Sequence, residues 1–296
     1  MGNGQTQNPS LLTPHPSPIT HYPSPSRMRI AVIVTTYNRP DALAAVLAGY
    51  QAQSESAFEL IVADDGSTGD TRLVVDAFTA RAKFPVRHVW QEDRGFRAAA
   101  IRNRALAATQ ADYIIFSDGD CVPARHFVAQ HRRLAERGWF VAGNRVLLSA
   151  GFTARVLRDG LPIDAWTLGA WLVAWAKRDI NRWLPLVVLP DGGLRRSAPQ
   201  RWEGVKTCNL AAWRDDLMRV NGLDETYSGW GLEDTDLVIR LLHAGVRHKS
   251  ARFAAPVFHL WHPENDRSRL AKNQLRLDAL VNSQRTVAEL GVDRYL

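Results

Sequence analysis

Cysteine is scarce in this chain of 296 residues, and Cys121 and Cys208 are the two that occur. Their separation gives neither the ligand spacing of a zinc site nor the framework of a disulfide-stabilised domain. The low count suits a reducing compartment. We expect both side chains to be small buried hydrophobes.

Long hydrophobic runs are missing as well. No stretch of about 18 uncharged apolar residues occurs, so we expect no membrane-spanning helix. Residues 1–27 are rich in Pro, Ser, Thr and Asn and lack the apolar segment of a secretory signal peptide. We therefore predict a disordered leader over 1–27 and a cytoplasmic protein that is at most peripheral to the inner face of a membrane.

The glycine-rich loops that hold phosphate groups in many nucleotide-binding proteins are also absent. No GxGxxG fingerprint follows the first predicted strand, and no Gly-Lys-Ser/Thr sequence occurs. The net charge of +7 nevertheless favours anionic partners such as nucleotide phosphates, nucleic acid or an acidic membrane surface. Phosphate must then be held in another way, and a metal ion together with arginines would hold it.

What is present indicates a soluble globular protein, with 46% hydrophobic and 23% charged residues. From Met28 onward, short apolar strands alternate with helices four times. The strands are predicted at 29–34, 58–63, 86–90 and 113–116, and helices are predicted from Pro40, over 71–82 and up to Ala108. This alternation predicts an α/β fold with a mainly parallel sheet flanked by helices.

Polar clusters follow the predicted strands where ligands bind in such sheets, outside the carboxyl ends of the strands. The clusters are Thr35–Arg39, Asp64-Asp65, Arg94–Arg97 and Asp118–Asp120. Four loops that carry such groups at one edge of a sheet predict a ligand site there.

The Asp118-Gly119-Asp120 sequence ends the buried strand at 113–116. If the backbone stays extended, the two carboxylates point the same way and repel each other unless a cation is bound. The glycine between them would let a ligand approach closely. A divalent cation fits this pattern, and a simple turn from strand to loop is the alternative.

The composition changes after Val141, and residues 152–190 carry four tryptophans together with basic side chains. The spacing of Trp171, Trp175 and Arg178 predicts that they share one face of a helix. Such a segment either lies on an anionic membrane or packs on the core and lines an acceptor cleft. We favour packing on the core, because apolar stripes are usually buried.

The second half contains two further groups that suit a sugar site. Glycines flank Trp230, so the backbone is able to set its indole against a flat ligand, and Glu233-Asp234 is predicted to begin a helix. An apolar strand ends near His259 and His262, which are either metal ligands or structural histidines. A C-terminal amphipathic helix is predicted over 266–290, with Leu270, Leu277 and Val281 on one face.

Five ordered motifs are similar to those of family-2 glycosyltransferases of the GT-A fold: Val34-Thr35-Thr36-Tyr37-Asn38-Arg39-Pro40, Asp64-Asp65-Gly66-Ser67, Arg102-Asn103, Asp118-Gly119-Asp120 and Trp230-Gly231-Leu232-Glu233-Asp234. The second half also resembles the C-terminal part of β-1,4-galactosyltransferases and chondroitin-polymerase modules, in which a metal-binding histidine follows a Trp-Gly-x-Glu-Asp pattern. The resemblance implies a Rossmann-like GT-A fold, with a single domain and an insertion on the acceptor side. Leu232 replaces a second glycine of the galactosyltransferases, so their donor and acceptor are not carried over.

The resemblance also implies roles for individual residues. Asp234 would be the general base, Glu233 would bind the acceptor sugar, and Asp120 would bind Mn²⁺ or Mg²⁺ together with His259 or His262. His259 is preferred because six residues separate it from Asn265, as in the galactosyltransferase pattern. The residues implied to bind the nucleotide-sugar, with Asp65 on the base and Asp118 on the ribose, are Thr35, Tyr37, Arg39, Asp65, Arg97, Arg102, Asp118 and Trp230.

Four segments follow from this assignment: the leader at 1–27, a nucleotide-sugar-binding half at 28–145, an insertion or acceptor region at 146–205, and an acceptor-binding and catalytic half with a C-terminal helix at 206–296. The predicted activity is metal-dependent, inverting transfer from a nucleotide-sugar, expected to be a UDP-sugar, to a glycan or glycolipid, as in lipopolysaccharide or capsule synthesis. A nucleoside diphosphate leaves as a stable anion, so one base suffices, whereas a glycosidase also needs an acid.

Two other functions compete with this prediction. A sugar nucleotidyltransferase needs a glycine-rich first loop for its triphosphate, which Thr35–Pro40 is not. A nucleic-acid-binding protein would line one extended surface with arginines and exposed aromatic side chains. Here several arginines instead lie beside loops that carry carboxylates, so we expect no nucleic-acid partner.

Overall fold

The structure is a computed structural model that describes residues 28–264 and 266–296. The predicted leader at 1–27 lies outside the described residues. So does Asn265, on which the preference for His259 depends.

A mixed sheet forms the centre of the described chain. Its strands are β1 (Ile30–Thr36), β2 (Phe58–Asp64), β3 (Val86–Trp90), β4 (Tyr113–Asp118), β6 (Trp139–Ala142), β8 (Asn209–Trp213) and β9 (Arg247–Ser250). Their spatial order is β3-β2-β1-β4-β8-β6-β9. The first four strands are parallel, whereas β8 runs antiparallel to both β4 and β6. The predicted α/β sheet is confirmed, and its strands come from both the 28–145 and the 206–296 segments.

Helices cover the two faces of this sheet. They are α1 (Pro40–Gln51), α2 (Gly69–Thr79), α3 (Ala98–Ala107), α4 (Phe127–Leu134), α5 (Ala150–Asp159), α6 (Leu168–Ala176), α7 (Arg214–Arg219), α8 (Glu233–His243) and α9 (Leu270–Val281). Alternate residues of β1 enter different cores: Val32 and Val34 pack on one face and Ile33 on the other. Burial on both faces explains why the strands are continuous apolar runs in the sequence.

A second, small sheet brings the histidines to the end of β4. It consists of β5 (Cys121–Pro123), β10 (Val257–His259) and β7 (Arg145–Leu147), with β10 in the middle. In the antiparallel pairing of β10 with β5, His259 lies opposite Cys121. The imidazole is therefore delivered next to Asp120 by strand pairing.

The insertion packs on the core, although not through the face that its spacing predicts. Trp171 is buried and stacks on Phe258, with 4.3 Å between the ring centroids. Trp175 is 46% exposed, and Arg178 follows the end of α6 with a positive φ of 60°. The predicted common face of Trp171, Trp175 and Arg178 is wrong, because the helix ends before Arg178.

The C-terminal helix is shorter than predicted, since α9 ends at Val281. Its buried stripe is Asn273, Leu277 and Leu280. Val281 is 43% exposed, so the predicted stripe through this residue is wrong. The spacing of four and then three residues keeps the observed stripe on one side of the helix, and Val281 is the last residue of α9, where the packing of the helix ends.

Candidate functional site

Three of the predicted polar loops meet at one edge of the large sheet. Register places Thr35 of β1 beside Asp118 of β4, and Thr36 beside Asp64 of β2. The carboxyl ends of these parallel strands are therefore aligned, as ligand binding in such sheets requires.

The turn after β4 is held tightly against β1. The amide of Gly119 donates to the carbonyl of Thr35 at 2.7 Å. A Cβ at position 119 would lie 2.9 Å from both the Cβ and the Oγ1 of Thr36. The neighbouring strand thus requires a glycine here, and the expectation that this glycine also lets a ligand approach closely stays a prediction.

Asp120 and both candidate histidines form one cluster. Asp120 Oδ2 lies 3.3 Å from His262 Nε2 and 3.7 Å from His259 Nε2. One ligand atom from each residue falls within 4.8 Å of the others. One carboxylate and two imidazoles form a donor set that suits a divalent ion such as Mn²⁺.

Burial lowers the pKa of His259 and outweighs the opposing charge of Asp120, while Arg145, His262 and Arg39 add to the fall. The neutral imidazole, which is the form that binds metal, is thereby favoured.

Arg102 joins three elements at the centre of the site. This buried guanidinium donates to Thr35 Oγ1 at 2.9 Å, Asp118 Oδ1 at 3.0 Å and Glu233 Oε1 at 3.2 Å. The first two acceptors lie on β1 and β4, and the third is the first residue of α8. Arg102 therefore positions the start of α8 against the strand ends.

The carboxyl groups around Arg102 are poorly solvated. Burial raises the pKa of Glu233, with the charge of Asp234 adding to the rise and Arg102 opposing it. Burial likewise raises the pKa of Asp118, against Arg102 and with help from Asp120. The site thus holds several acidic groups whose negative charge a bound cation would offset.

Lys206 is a site residue that the sequence analysis missed. Its Nζ lies 3.5 Å from Asp234 Oδ1. Because β8 is antiparallel to β4 and Ser117 pairs with Asn209, the residues just before β8 arrive at the carboxyl end of β4. A long-range pairing of this kind leaves no local signal in the sequence.

The loop before α8 has an unusual backbone. Gly229, Gly231 and Leu232 have φ values of 72°, 103° and 78°. Glycine adopts such values freely, but Leu232 does so at a cost of about 1 to 3 kcal/mol. Leu232 therefore keeps the conformation that a second glycine would adopt. Between the glycines, the half-buried Trp230 ring lies 5.3 Å from the guanidinium carbon of Arg267.

Asp65, which is predicted to bind the base of the nucleotide, is buried next to Arg97. Asp65 accepts from the amide of Arg97 at 2.7 Å and from Gln91 Nε2 at 2.5 Å, and burial raises its pKa. Tyr37 is exposed, and its hydroxyl donates to Asp93 at 2.9 Å. These contacts place Asp65, Arg97 and Tyr37, which are predicted to bind the nucleotide-sugar, in neighbouring loops. Their binding roles remain predictions.

A cavity of about 930 Å³ adjoins the carboxylate cluster. Its lining includes Arg145, Arg182 and Lys206, together with residues 142–144, Cys208, residues from 189–205, β9 and the loop after it. Because Lys206 also contacts Asp234, the cavity lies beside this predicted general base.

The helices of the described chain include none that is both long enough and apolar enough to span a bilayer.

Comparison with protein families gives two matches that divide the chain. The model of Glycosyl transferase family 2 matches residues 31–189, and that of the N-terminal domain of galactosyltransferase matches residues 196–263. The first match contains Asp118 and Asp120, and the second contains Asp234 and both histidines.

Individual proteins agree with these matches. Validoxylamine A glucosyltransferase of Streptomyces hygroscopicus subsp. limoneus is 31% identical over 73% of this chain and 48% of its own length. Chondroitin synthase of Escherichia coli is 23% identical over 85% of the chain and 38% of its own length. The chain thus spans about half or less of these two relatives.

A solved structure shares the fold. Mannosyltransferase PcManGT from Pyrobaculum calidifontis, in complex with GDP-Man and Mn²⁺, superimposes with a TM-score of 0.59 at 19% identity. The match covers 90% of this chain and 69% of that one. This likeness confirms the fold class that the sequence predicts.

Proposed function

The chain belongs to glycosyl transferase family 2, whose model covers residues 31–189, and we propose that it transfers a sugar from a UDP-sugar to a hydroxyl of a glycan or glycolipid with the help of Mn²⁺ or Mg²⁺. The observation that carries the proposal is the convergence of Asp120, His259 and His262 beside the carboxylate group around Arg102. That arrangement combines a cation site with a candidate base at the edge where the family binds its donor.

The proposed reaction is a single displacement with inversion. A divalent ion held by Asp120 with His259, His262 or both would offset the charge that develops on the departing diphosphate. Asp234 removes the proton from the acceptor hydroxyl as this oxygen attacks the anomeric carbon. Lys206 orients the Asp234 carboxylate, while Glu233, held by Arg102, binds the acceptor sugar beside it.

The base assignment is tested with Asp234→Asn. We expect turnover to fall by roughly 10²- to 10⁴-fold, the usual contribution of a general base, while the affinity for the nucleotide-sugar is kept. The measurement is nucleotide release from a panel of UDP- and GDP-sugars with Mn²⁺, and calorimetry for donor binding. Asp70→Asn, an exposed change on α2, is the control. Near-full turnover of Asp234→Asn would refute the assignment.

Contact with an acidic lipid surface is part of the proposal, because the insertion exposes many apolar side chains. They are Leu168, Leu172, Val173, Trp175, Leu184, Val188, Leu189 and Leu194. Lys177 and Arg178 lie among them in the sequence, and neither forms an ion pair with the part of the chain that the structure describes. An apolar surface with basic neighbours suits the interface of an anionic bilayer.

Vesicle flotation tests this contact. The protein should float with vesicles that contain phosphatidylglycerol, and less so with pure phosphatidylcholine or at high salt. The double variant Val173→Ser/Trp175→Ser should lose flotation because it removes exposed apolar area, whereas Leu275→Ser, at an exposed site on α9, should not. Flotation that is equal for all three proteins would argue against the surface.

A further inference from the structure

The cavity beside Asp234 carries a strong excess of positive charge. Among the side chains that line it, six are cationic: Arg145, Arg182, Arg195, Arg201, Lys206 and Arg252. Two are carboxylates, Asp191 and Glu203. A cavity built for a neutral sugar chain has no need of such an imbalance, since neutral hydroxyls are satisfied by uncharged polar groups.

Two of these charged side chains are already paired with other groups of the protein. Arg195 is buried and donates to five backbone carbonyls, among them Ser250 O at 3.0 Å and Leu189 O at 2.6 Å. It therefore ties the 189–196 segment to the end of β9. Asp191 is bound by Lys249 Nζ at 2.9 Å, so its charge is already offset. Neither residue has much left to offer a ligand.

Arg201 donates to the carbonyl of Glu203 at 3.3 Å, and the three arginines that remain are available to a ligand. Within the described chain, the guanidinium groups of Arg145, Arg182 and Arg252 form no hydrogen bond and no ion pair with a carboxylate. Arg182 and Arg252 are exposed, whereas Arg145 is half-buried. Each offers up to five N–H donors in a planar fork that matches a carboxylate or a phosphate.

Position separates two of these arginines from the donor. Burial lowers the pKa of Arg145, but the nearby Cys208, Cys121, Asp118 and Asp120 together raise it. Because β7 pairs with β10, Arg145 lies near the histidine cluster and so also borders the nucleotide side. Arg182, after α6, and Arg252, after β9, face the cavity from the insertion and from the far side of β8. An acceptor that extends from the base into the cavity would meet these two.

We propose that this cavity binds an acceptor that carries an oxyanion, a carboxylate or a phosphate, and that Arg182 and Arg252 select it. The inference rests on the proposed function, because it assumes that the acceptor enters beside Asp234. It adds the charge of the acceptor, which the sequence and the family leave open.

The test measures binding and turnover of matched acceptors. The probes are a glycoside that ends in a hexuronic acid, its carboxyl-reduced neutral counterpart and a hexose 1-phosphate, each titrated by calorimetry with UDP and Mn²⁺ present. We expect at least one acidic probe to bind about tenfold or more tightly than the neutral one, since hydrogen bonds to charged groups are the stronger class. Comparison of the hexuronic acid glycoside with the hexose 1-phosphate distinguishes a carboxylate acceptor from a phosphate acceptor.

Variants locate the effect. Arg182→Gln and Arg252→Gln should each weaken binding of the preferred acidic probe by about 10- to 100-fold and leave the neutral probe unchanged. Arg182→Lys should restore part of the loss. Arg81→Gln removes the same charge from an exposed position away from the cavity and should change nothing.

Two results would overturn the inference. The first is equal affinity for charged and neutral probes, which includes the case in which none binds. The second is a rise of the donor KM in Arg182→Gln and Arg252→Gln as large as the loss of acceptor affinity, because the cavity would then serve the donor. Slow metal-dependent hydrolysis of the nucleotide-sugar needs no acceptor. It therefore reports separately whether the proposed function holds.

Discussion

Gly119 illustrates how one residue connects the fold to the site. It separates Asp118, which binds Arg102, from Asp120, which faces the two histidines. The separation is kept only because the turn packs directly on Thr36. A side chain at this position would have to displace β1 or the turn itself.

We expect Gly119→Ala to destabilise the protein by about 1 to 3 kcal/mol, the usual cost of overpacking. Thermal or urea unfolding measures it, and binding of Mn²⁺ should weaken as well because Asp120 shifts. Gly151→Ala is the matched control, since no atom lies within 4 Å of a Cβ built there, in the first turn of α5. That change should be neutral or slightly stabilising, and equal losses in the two variants would contradict the packing argument.

Sequence reasoning found single residues where the chemistry is local to a motif. Asp118 and Asp120 were recognisable as candidates because carboxylates follow a buried strand, whereas the roles of Glu233 and Asp234 came from the family resemblance. Lys206 and Arg145 were not, because they reach the site through strand pairings that join distant parts of the chain. The packing reason for Gly119 was also missed, since the neighbour that requires it comes from another strand.

Among the secondary-structure elements, α4 and β8 are joined by a buried polar contact. His131 Nε2 lies 3.0 Å from Asn209 Oδ1, and the side-chain Nδ2 of Asn209 donates to Ala255 O at 2.6 Å. Burial lowers the pKa of His131 to about 4. The neutral ring is therefore part of the folded state at neutral pH.

This contact predicts a pH-dependent stability. An unfolded histidine, with a pKa near 6.5, binds a proton as the pH falls below that value, whereas folded His131 resists protonation until about pH 4. The contribution is complete above pH 6.5 and is lost progressively down to pH 4. When the pH falls from 7.5 to 4.5, protonation of this single group in the unfolded chain should lower the free energy of unfolding by about 2 to 3 kcal/mol.

Urea unfolding at several pH values measures this loss by comparing the wild type with His131→Gln, whose amide cannot take up a proton. The variant should lose about 2 to 3 kcal/mol less than the wild type over the same range. His126→Gln, at an exposed position just before α4, should follow the wild type. Parallel curves for the wild type and His131→Gln would show that His131 does not control acid stability.

Elements with apolar runs on both faces were predictable, and helix ends were not. The four early strands begin where the sequence indicates or one residue away. In β1, β2 and β4, burial on both faces leaves a nearly continuous apolar run, whereas the edge strand β3 is only partly buried. The ends of α6 and α9 were placed too late, since side-chain spacing continues beyond the point where tertiary packing stops the helix.

On the scale of the whole molecule, the histidine cluster bridges two sheets. Asp120 ends the turn after β4 of the large sheet, whereas His259 ends β10 of the small one. An ion bound between them would therefore crosslink the two halves that the family models match separately. Folding and metal binding should be coupled as a result.

We expect Mn²⁺ at about 100 times its dissociation constant to stabilise the protein by about 2.7 kcal/mol. Scanning calorimetry should then show a rise in Tm of several degrees. Asp120→Ala should abolish the rise, and comparison of His259→Ala with His262→Ala identifies the ligating histidine. His126→Ala should leave the rise intact, and an unchanged rise in all three cluster variants would exclude the site.

The overall arrangement was predictable only for the first half. Local alternation of strand and helix gives the parallel part of the sheet and the family resemblance. The antiparallel β8 between β4 and β6, the second sheet and the charged cavity depend on contacts such as that of Ser117 with Asn209, which no local pattern reveals.

The chain leaves the large sheet after Ala142 and re-enters it at Asn209, and the amide of Gly143 donates to the carbonyl of Asn209 at 2.9 Å. The chain therefore leaves the large sheet and re-enters it at adjacent positions. Apart from β7, which pairs with β10, the intervening segment is therefore able to change in length without reordering the strands of the large sheet. Insertions and deletions within it are thus expected to leave that sheet intact.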